Sequence, residues 1–355
     1  MIKNKKLVPL DKFIYKSLYD KSKGYYFKKN PFGKEGDFIT APNISKLFSE
    51  ILSIWTILFW KNLKKPKKIN LIELGGGNGE MIFQMVKTLK KFPSFFKSCE
   101  IYIYEKSTYL KKIQRKKLIN YKIKWINSFN KIENNPNIFI ANEFFDALPI
   151  KQYFEVNKKW QERYVDITNK NKFRFINKNV NIKLIEKKIG LKISKNQKII
   201  EYSPLLFRYF KLISKKLLRT KGGILIIDYG YLSNIMSDTL QSVYKHKKND
   251  IFENVGKADI THLINFELLK KIAKKYKLKS QGISTQKNFL LNMGIRERAE
   301  IISKNLKFSD KANIYFRLRK LIDDKEMGNL FKFMLITSNN IKFKTGFKNW
   351  LNQKL

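Results

Sequence analysis

A glycine-rich turn near residue 75 constrains the fold of this chain more than any other feature. The sequence LIELGGGNGE, residues 71–80, places an expected β-strand directly before Gly75, Gly76, Gly77 and Gly79. In α/β proteins such a turn brings bare backbone amides against a nucleotide or nucleoside, because glycine has no Cβ to block the ligand. Taken alone, the motif is also compatible with a tight turn that binds nothing.

The acidic residues around the turn separate two classes of ligand. A dinucleotide-binding turn has the pattern G-x-G-x-x-G, and Glu80 stands where its third glycine would fall. The chain instead has E-x-G-x-G-x-G, with Glu73 at the end of the strand. A carboxylate at this place repels a pyrophosphate and attracts a cation. S-adenosylmethionine, which carries a sulfonium and an ammonium group, is therefore the expected ligand.

Composition limits the kinds of protein this chain can be. Its 355 residues are enough for about two average domains or for one enlarged α/β domain. One cysteine and two histidines exclude a disulfide framework and a Cys-rich zinc site, so we expect no metal. The N-terminal sequence resembles neither a signal nor a transit peptide, and we expect a cytoplasmic protein. The longest apolar stretch, 51–60, is too short to cross a bilayer and is expected to be a core helix.

The net charge of +45 would suggest nucleic-acid binding if arginine supplied it. Only nine of the 74 basic residues are arginine, and the lysines are spread over the whole chain. Proteins that read bases and phosphates favour the bidentate guanidinium of arginine. We therefore expect a solvated, lysine-rich surface and no dedicated nucleic-acid module.

Short apolar segments alternate with helical patterns along much of the chain. Strands are predicted at 69–74, 100–104, 121–126, 137–141 and 224–227, and a closing strand at 330–337. This alternation predicts an α/β fold with a mainly parallel, doubly wound sheet and helices on both faces.

Additional segments are expected around this core. The loop 24–42 is long enough to cover a site. The Asn/Lys-rich segment 167–188 should be exposed, and the chain should be mostly helical from 266 to about 300. The predicted units are N-terminal helices with the loop (1–66), the core (67–150 and 222–355), an insertion with a hairpin and helices (151–221), and a helical insertion (about 231–300).

Several predicted strands end in polar residues at the edge where α/β sheets bind ligands. Glu105 follows the second strand, where a carboxylate can accept both hydroxyls of a ribose; a surface ion pair is the alternative. Asn127 and Ser128 follow the third strand and are candidates for an adenine edge, although such residues are common in loops. Asp228 and Tyr229 end the fifth strand and form a further candidate wall.

The fourth strand runs into ANEFFDALP, which contains Asn142, Glu143 and Asp146. Two carboxylates and an amide beside phenylalanines can orient a cationic nitrogen acceptor. The alternative is a helix N-terminus capped by Asn142. His246 and His262 are more simply explained by packing or surface positions, and no hydrolase triad can be assembled.

Several blocks of the sequence, taken together, resemble the MidA family of class I S-adenosylmethionine-dependent methyltransferases. This family includes the mitochondrial methyltransferase that assists complex I assembly and modifies a protein arginine. The chain departs from the family pattern at Asn43, where glutamate is usual, and at Leu263, where histidine is common. The matching blocks are GYYFKKNPFGKEGDFITAPNISKLF, LIELGGGNGE, ANEFFDALPIKQYF, DTLQSVYKH, ADITHLINF, FLLNMGIRERAE and MGNLFKFMLI.

The resemblance implies a Rossmann-like methyltransferase core with an inserted α+β region. It implies that the methyl donor is bound by the strand-end and turn residues Glu73, Gly75, Gly77, Gly79 and Glu105. It also implies that the acceptor is bound by Asn142, Glu143 and Asp146. The loop that closes over the donor would contain Gly36, Asp37, Thr40 and Pro42.

The sequence therefore predicts an enzyme that transfers a methyl group from S-adenosylmethionine to a nitrogen. The resemblance favours a protein arginine as acceptor, with a respiratory complex I subunit as one expected partner. A homodimer is a further expectation. Two alternatives stay open at this point. One is methylation of a small molecule or RNA, and the other is a non-catalytic assembly factor that binds the cofactor.

Replacing Gly77 by valine tests the assignment of the glycine turn. We expect Gly77→Val to abolish binding of S-adenosylmethionine, because the added side chain would fill the space in which the backbone meets its ligand. Titration calorimetry measures this binding directly. Wild-type affinity of the variant would remove the turn from the donor site.

Overall fold

The computed structural model describes residues 6–28, 31, 33, 36–37, 39–168 and 172–347. Of the predicted loop 24–42, residues 29, 30, 32, 34, 35 and 38 lie outside the described residues. The same holds for residues 169–171 of the Asn/Lys-rich segment. No helix in the described part of the chain is long and apolar enough to cross a membrane.

The N-terminal part contains one strand and several helices. The apolar stretch 51–60 lies within the longest of these helices, as predicted, and the Ser45 side chain caps it by accepting a hydrogen bond from the backbone amide of Leu47. These elements are β1 (Lys6–Pro9), α1 (Leu10–Tyr19), α2 (Tyr25–Lys28), α3 (Ala41–Ile44) and α4 (Lys46–Asn62).

The next segment alternates strands and helices, and its strands match the predicted ones to within two residues. Burial of every residue in the first of these strands fits a parallel strand covered on both faces. The elements are β2 (Ile69–Leu74), α5 (Glu80–Leu89), α6 (Pro93–Ser98), β3 (Cys99–Tyr104), α7 (Thr108–Lys117), β4 (Ile123–Ile126) and β5 (Asn137–Asn142).

The first insertion forms an antiparallel sheet with the N-terminal strand. The predicted hairpin is confirmed, and part of the Asn/Lys-rich segment is a strand that pairs with it. The elements are β6 (Lys151–Val156), β7 (Lys159–Ile167), β8 (Phe173–Asn179), α8 (Ile182–Ile189), β9 (Ile199–Tyr202) and α9 (Pro204–Thr220). The sheet has the order β1-β7-β6-β9, and β8 pairs with β7.

The C-terminal part contains more strands than the sequence predicted. Its strands are β10 (Gly222–Tyr231), β11 (Gln241–Tyr244), β12 (Lys247–Asn249), β13 (Asp259–Thr261), β14 (Ile264–Asn265), β15 (Lys279–Thr285) and β16 (Phe331–Thr337). Its helices are α10 (Phe266–Lys275), α11 (Gln286–Asn292), α12 (Ile295–Ser303), α13 (Phe308–Ile322) and α14 (Met327–Leu330).

The insertion predicted at about 231–300 is mostly helical after Phe266, as predicted, in α10, α11 and α12, but its strands were not predicted. Strands β11, β12 and β13 form a small antiparallel sheet, and β15 belongs to the core sheet. β15 escaped prediction because it is an edge strand with a bulge between Ser280 and Gly282, so its sequence lacks both a continuous apolar run and clean alternation.

The core sheet has the strand order β15-β16-β10-β5-β2-β3-β4, and β16 is antiparallel to both of its neighbours. The other ladders along it are parallel, which confirms the predicted Rossmann-like α/β core. Successive side chains of a strand point to opposite faces, so Leu71 and Ile72 join different hydrophobic cores. Strand order reverses between β2 and β5, and the carboxyl ends of these strands face a crevice.

A third hydrophobic core explains why the predicted unit 1–66 does not pack as one body on the sheet. Helix α4 belongs to the core on one face of the main sheet. Leu10, Phe13 and Leu18 of α1 instead pack with Val165 of β7 and Ile260 of β13. The start of the chain thus covers the crevice together with both insertions.

Candidate active site

A cavity of about 770 Å³ lies at the crevice where strand order reverses. Its walls come from the glycine turn, the ends of β3 and β5, helix α1, and the small sheet of β11 and β13. This volume is typical of sites that bind drug-sized molecules. A second cavity of about 40 Å³ adjoins it and shares Gly75, Gly77 and Glu143 with it.

The glycine turn depends on two properties of glycine, which are its tolerance of positive φ values and its lack of a Cβ atom. The backbone φ values of Gly75, Gly77 and Gly79 are +74°, +50° and +80°, and residues that carry a side chain rarely adopt such values. A Cβ on Gly75 would lie 2.8 Å from Cδ2 of Phe144, and one on Gly76 would lie 2.7 Å from Cγ2 of Ile103. The protein therefore leaves no room for a side chain at Gly75 or Gly76.

Glu73 lines the smaller cavity, and it forms no ion pair with a lysine or arginine among the described residues. Its side chain is buried, and Oε2 has no hydrogen-bond partner among the described residues. Burial, and then the nearby charge of Glu105, raises the pKa of Glu73 to about 8. A positively charged group bound here would relieve both effects, so Glu73 fits the ammonium or sulfonium of the expected donor.

Glu105 is held rigidly beside the turn. Its Oε1 accepts hydrogen bonds from the backbone amides of Lys106 and Ser107, each at 2.8 Å. Its Oε2 accepts a hydrogen bond of 3.2 Å from Nε2 of Gln114. Burial raises the pKa of the Glu105 carboxyl. The carboxylate lines the large cavity, where it can meet ribose hydroxyls as the sequence predicts.

Gln114 is a positioning residue that the sequence analysis missed. It is fully buried on α7, and its Nε2 also donates to the backbone oxygen of Gly77 at 2.9 Å. Its Oε1 accepts a hydrogen bond from the Trp125 indole at 2.9 Å. One amide thus fixes the distance between the glycine turn and Glu105. The available signal was a glutamine on the buried face of an amphipathic helix, which alone does not indicate a site.

Glu143 adopts a backbone conformation that is rare for a residue with a side chain. Its φ is +49°, and its amide donates to the backbone oxygen of Ile227 at 2.9 Å. Asn142 donates from Nδ2 to Oε1 of Glu143 at 3.2 Å. No helix follows within 143–150, so the alternative of a helix N-terminus capped by Asn142 was wrong. Burial, and then the charge of Asp146, raises the pKa of Glu143 to about 8.

Asp146 is a buried carboxylate in the wall of the large cavity. Its Oδ2 accepts a hydrogen bond from the Tyr229 hydroxyl, and its Oδ1 has no hydrogen-bond partner in the described part of the chain. The Asp146 amide donates to Oδ2 of Asp228 at 3.3 Å. Burial raises the pKa of Asp146 and lowers that of His262, whose amide donates to the Asp146 backbone oxygen. Tyr229 lines the cavity, as the sequence suggested.

The other predicted residues lie at several places. Thr40 accepts a hydrogen bond from Nδ2 of Asn43 and lines the small cavity. Asp37 lines the large cavity and accepts hydrogen bonds from the Tyr25 hydroxyl and the Lys245 amide, so it also joins the N-terminal segment to the β11–β12 hairpin.

The two residues proposed for the adenine edge lie elsewhere. Asn127 is exposed, and Ser128 caps a short 3₁₀ turn by accepting from the amide of Asn130. Neither lines the two cavities. Their role as adenine contacts stays a prediction. The exposed His246, in contrast, lines the large cavity.

Comparison with known proteins identifies the family. A family model described as "Putative S-adenosyl-L-methionine-dependent methyltransferase" matches residues 51–284. The chain belongs to this family. The methyltransferase is similar to the mitochondrial protein arginine methyltransferase NDUFAF7 of Xenopus laevis, with 27% identity over 100% of this chain and 85% of the relative. The Homo sapiens protein of the same name is also 27% identical, over 94% of this chain and 81% of its own.

A solved structure shares the fold. The crystal structure of a Burkholderia thailandensis protein bound to S-adenosyl-homocysteine superposes with a TM-score of 0.81, at 22% identity, over 96% of this chain and 90% of that one. The cofactor of the present methyltransferase is S-adenosylmethionine, in agreement with the sequence analysis. The bare turn and the unpartnered Glu73 suit a nucleoside that carries positive charge, so the residues present fit this cofactor.

Replacing Gln114 by leucine tests its positioning role. We expect Gln114→Leu to weaken binding of S-adenosyl-homocysteine about tenfold, because the buried oxygens of Gly77 and Glu105 lose a donor. Calorimetry measures the affinity, and Gln84→Leu is the matched control, since the partly buried Gln84 side chain bonds only Glu80, one turn earlier on α5, among the described residues. A folded Gln114→Leu protein with unchanged affinity would contradict this role.

Proposed function

We propose that this methyltransferase transfers the methyl group to a nitrogen of a protein arginine. The observation that carries the proposal is an acidic cavity in a chain of net charge +45. Glu143, Asp146 and Asp259 line the same cavity, and none of them forms an ion pair with a lysine or arginine among the described residues. A basic protein that leaves buried carboxylates without cations has a site suited to a cationic ligand.

A guanidinium suits this site better than a compact ammonium ion. It is planar, stays charged at all physiological pH values and offers several N–H donors in a fixed fork. The cavity offers carboxylate oxygens for these donors and tyrosine rings for the planar face, among them Tyr19, Tyr26 and Tyr229. The NDUFAF7 relatives, which are named protein arginine methyltransferases, support the same acceptor.

The chain's residues would act by holding the acceptor in line with the methyl group. The acceptor nitrogen forms a bond to the methyl carbon, the carbon–sulfur bond breaks with its electron pair staying on sulfur, and the nitrogen gives up one proton. Glu143 neutralises the bound cation and orients the attacking nitrogen. Its carboxylate is a candidate to accept the proton, because the charge of a bound guanidinium favours the ionised form of this buried group.

Finer assignments have support from the sequence alone. We extend the proposal to a respiratory complex I subunit as acceptor, to a role in complex I assembly, to a cytoplasmic location and to a homodimer. The cavity is also large enough for a free small molecule as acceptor. Labelled methyl transfer into the protein, RNA and small-molecule fractions of a lysate distinguishes these acceptor classes.

Replacing Glu143 by glutamine separates binding from turnover. We expect Glu143→Gln to bind S-adenosyl-homocysteine with wild-type affinity and to lose at least about a hundredfold in methyl transfer, because the carboxylate acts on the acceptor. The assay measures labelled methyl in the protein, RNA and small-molecule fractions of a lysate, with hydrolysis of the protein fraction to detect methylarginine. Glu297→Gln, at an exposed position on α12, is the matched control.

Methylarginine that forms with the wild type and the control but not with Glu143→Gln would support the proposal. Label confined to RNA or to small molecules would overturn it. Equal transfer by Glu143→Gln and the wild type would leave the acceptor class intact but remove Glu143 from the site.

A further inference from the structure

One carboxylate in the cavity wall comes from outside the methyltransferase core. Asp259 is the first residue of β13, in the small sheet of the second insertion, and its side chain is only 4% exposed. It lines the same cavity as Glu143 and Asp146. The sequence block ADITHLINF contains it, but spacing alone gave it no role.

The two oxygens of Asp259 differ in their surroundings. Oδ1 accepts hydrogen bonds from the Tyr26 hydroxyl at 3.1 Å and from the Ile260 amide at 2.9 Å. Oδ2 takes part in no hydrogen bond within the described part of the chain. One oxygen therefore fixes the carboxylate in place, and the other is left for a partner in the cavity.

In two nearby aspartates, by contrast, both carboxylate oxygens accept hydrogen bonds from the protein. Asp37 uses both oxygens, for the Tyr25 hydroxyl and the Lys245 amide. Asp228 also uses both, since Oδ2 accepts from the Phe145 and Asp146 amides and Oδ1 from the Tyr229 amide. Asp259 is buried like these residues, but its Oδ2 accepts no hydrogen bond from the described residues.

Aromatic side chains link Asp259 to the core carboxylates. The Tyr26 ring stacks on the Tyr19 ring, with centroids 5.5 Å apart and planes inclined by 25°. The Tyr19 hydroxyl donates to the backbone oxygen of Ala147, next to Asp146, at 2.8 Å. Both rings line the cavity, where their faces can receive a planar cation.

The three carboxylates that line this cavity, Glu143, Asp146 and Asp259, act on one another through their charges. Burial, and then the charge of Asp146, raises the pKa of Asp259 to about 7. The charge of Asp259 in turn contributes to the raised pKa of Glu143. A single cation among the three would favour their ionised forms together.

We propose that Asp259 is a substrate-binding residue that receives the acceptor's guanidinium through Oδ2, so that the insertion and the core bind the acceptor jointly. The inference rests on the proposed function and adds a contact that it does not contain. Its consequence is specificity: the insertion carboxylate selects a charged acceptor over a neutral one of the same shape.

Binding of two small probes tests this role in the full-length protein saturated with S-adenosyl-homocysteine. The probes are N-acetylarginine amide and N-acetylcitrulline amide, which have similar shapes and differ in charge. Calorimetry gives the ratio of their dissociation constants. We expect Asp259→Asn to reduce the wild-type preference for the arginine probe by about tenfold to a hundredfold, because one charge-assisted contact is lost.

Asparagine is isosteric with aspartate and can still accept both hydrogen bonds through Oδ1, so the fold should persist. Asp250→Asn, at an exposed position in the same insertion, is the matched control and should keep the wild-type ratio. If Asp259→Asn fails to bind S-adenosyl-homocysteine, Asp259→Ser is measured in the same way and must show the same loss of preference.

The outcomes separate this inference from the proposed function. An Asp259→Asn protein that keeps the wild-type preference, while Glu143→Gln loses it, would overturn the role of Asp259 and leave the arginine acceptor standing. A wild-type protein without preference for the arginine probe would overturn the proposed function itself. A loss of preference by both variants, with binding of S-adenosyl-homocysteine unchanged, supports both.

Discussion

The burial of carboxylates without cations is the constraint on which the rest of this structure depends. An isolated buried charge costs several kcal/mol, and proteins normally offset this cost with an ion pair or hydrogen bonds. Here Glu73, Glu143, Asp146 and Asp259 surround one crevice, although the chain carries 74 basic residues. Their raised pKa values follow from this arrangement. Among the described residues, the lysines of the protein do not pair with these carboxylates, so a positively charged ligand would compensate their charge.

The sheet supplies the geometry that brings these groups together. Parallel strands end at the same edge, and the reversal of strand order between β2 and β5 opens a crevice between the segments that follow them. The positive φ of Glu143 turns the chain sharply after β5, while the glycine turn keeps side chains out of the same space. Gln114 links the turn to Glu105, so that the donor side of the crevice forms one rigid unit.

Much of this arrangement could be predicted from the sequence because it is local. The strands of the core have continuous apolar runs, and Glu73, Glu105 and Glu143 each lie next to the end of such a run. What escaped prediction depends on contacts between distant segments. Tyr26 and Asp259 are 233 residues apart in the chain and meet only in the folded protein. Asn127 and Ser128 show the converse, since a strand-end position alone did not bring them into the cavity.

The most direct test of this account is a count of the protons released when S-adenosylmethionine binds. At pH 7 a carboxyl with a pKa of about 8, such as Glu73, is mostly protonated in the free protein, and a bound cation favours its ionised form. Calorimetric titrations at pH 7 in buffers of different ionisation enthalpy measure this release. We predict a net release of protons that is clearly reduced in Glu73→Gln. Binding without proton release, or an equal release by wild type and variant, would contradict the account.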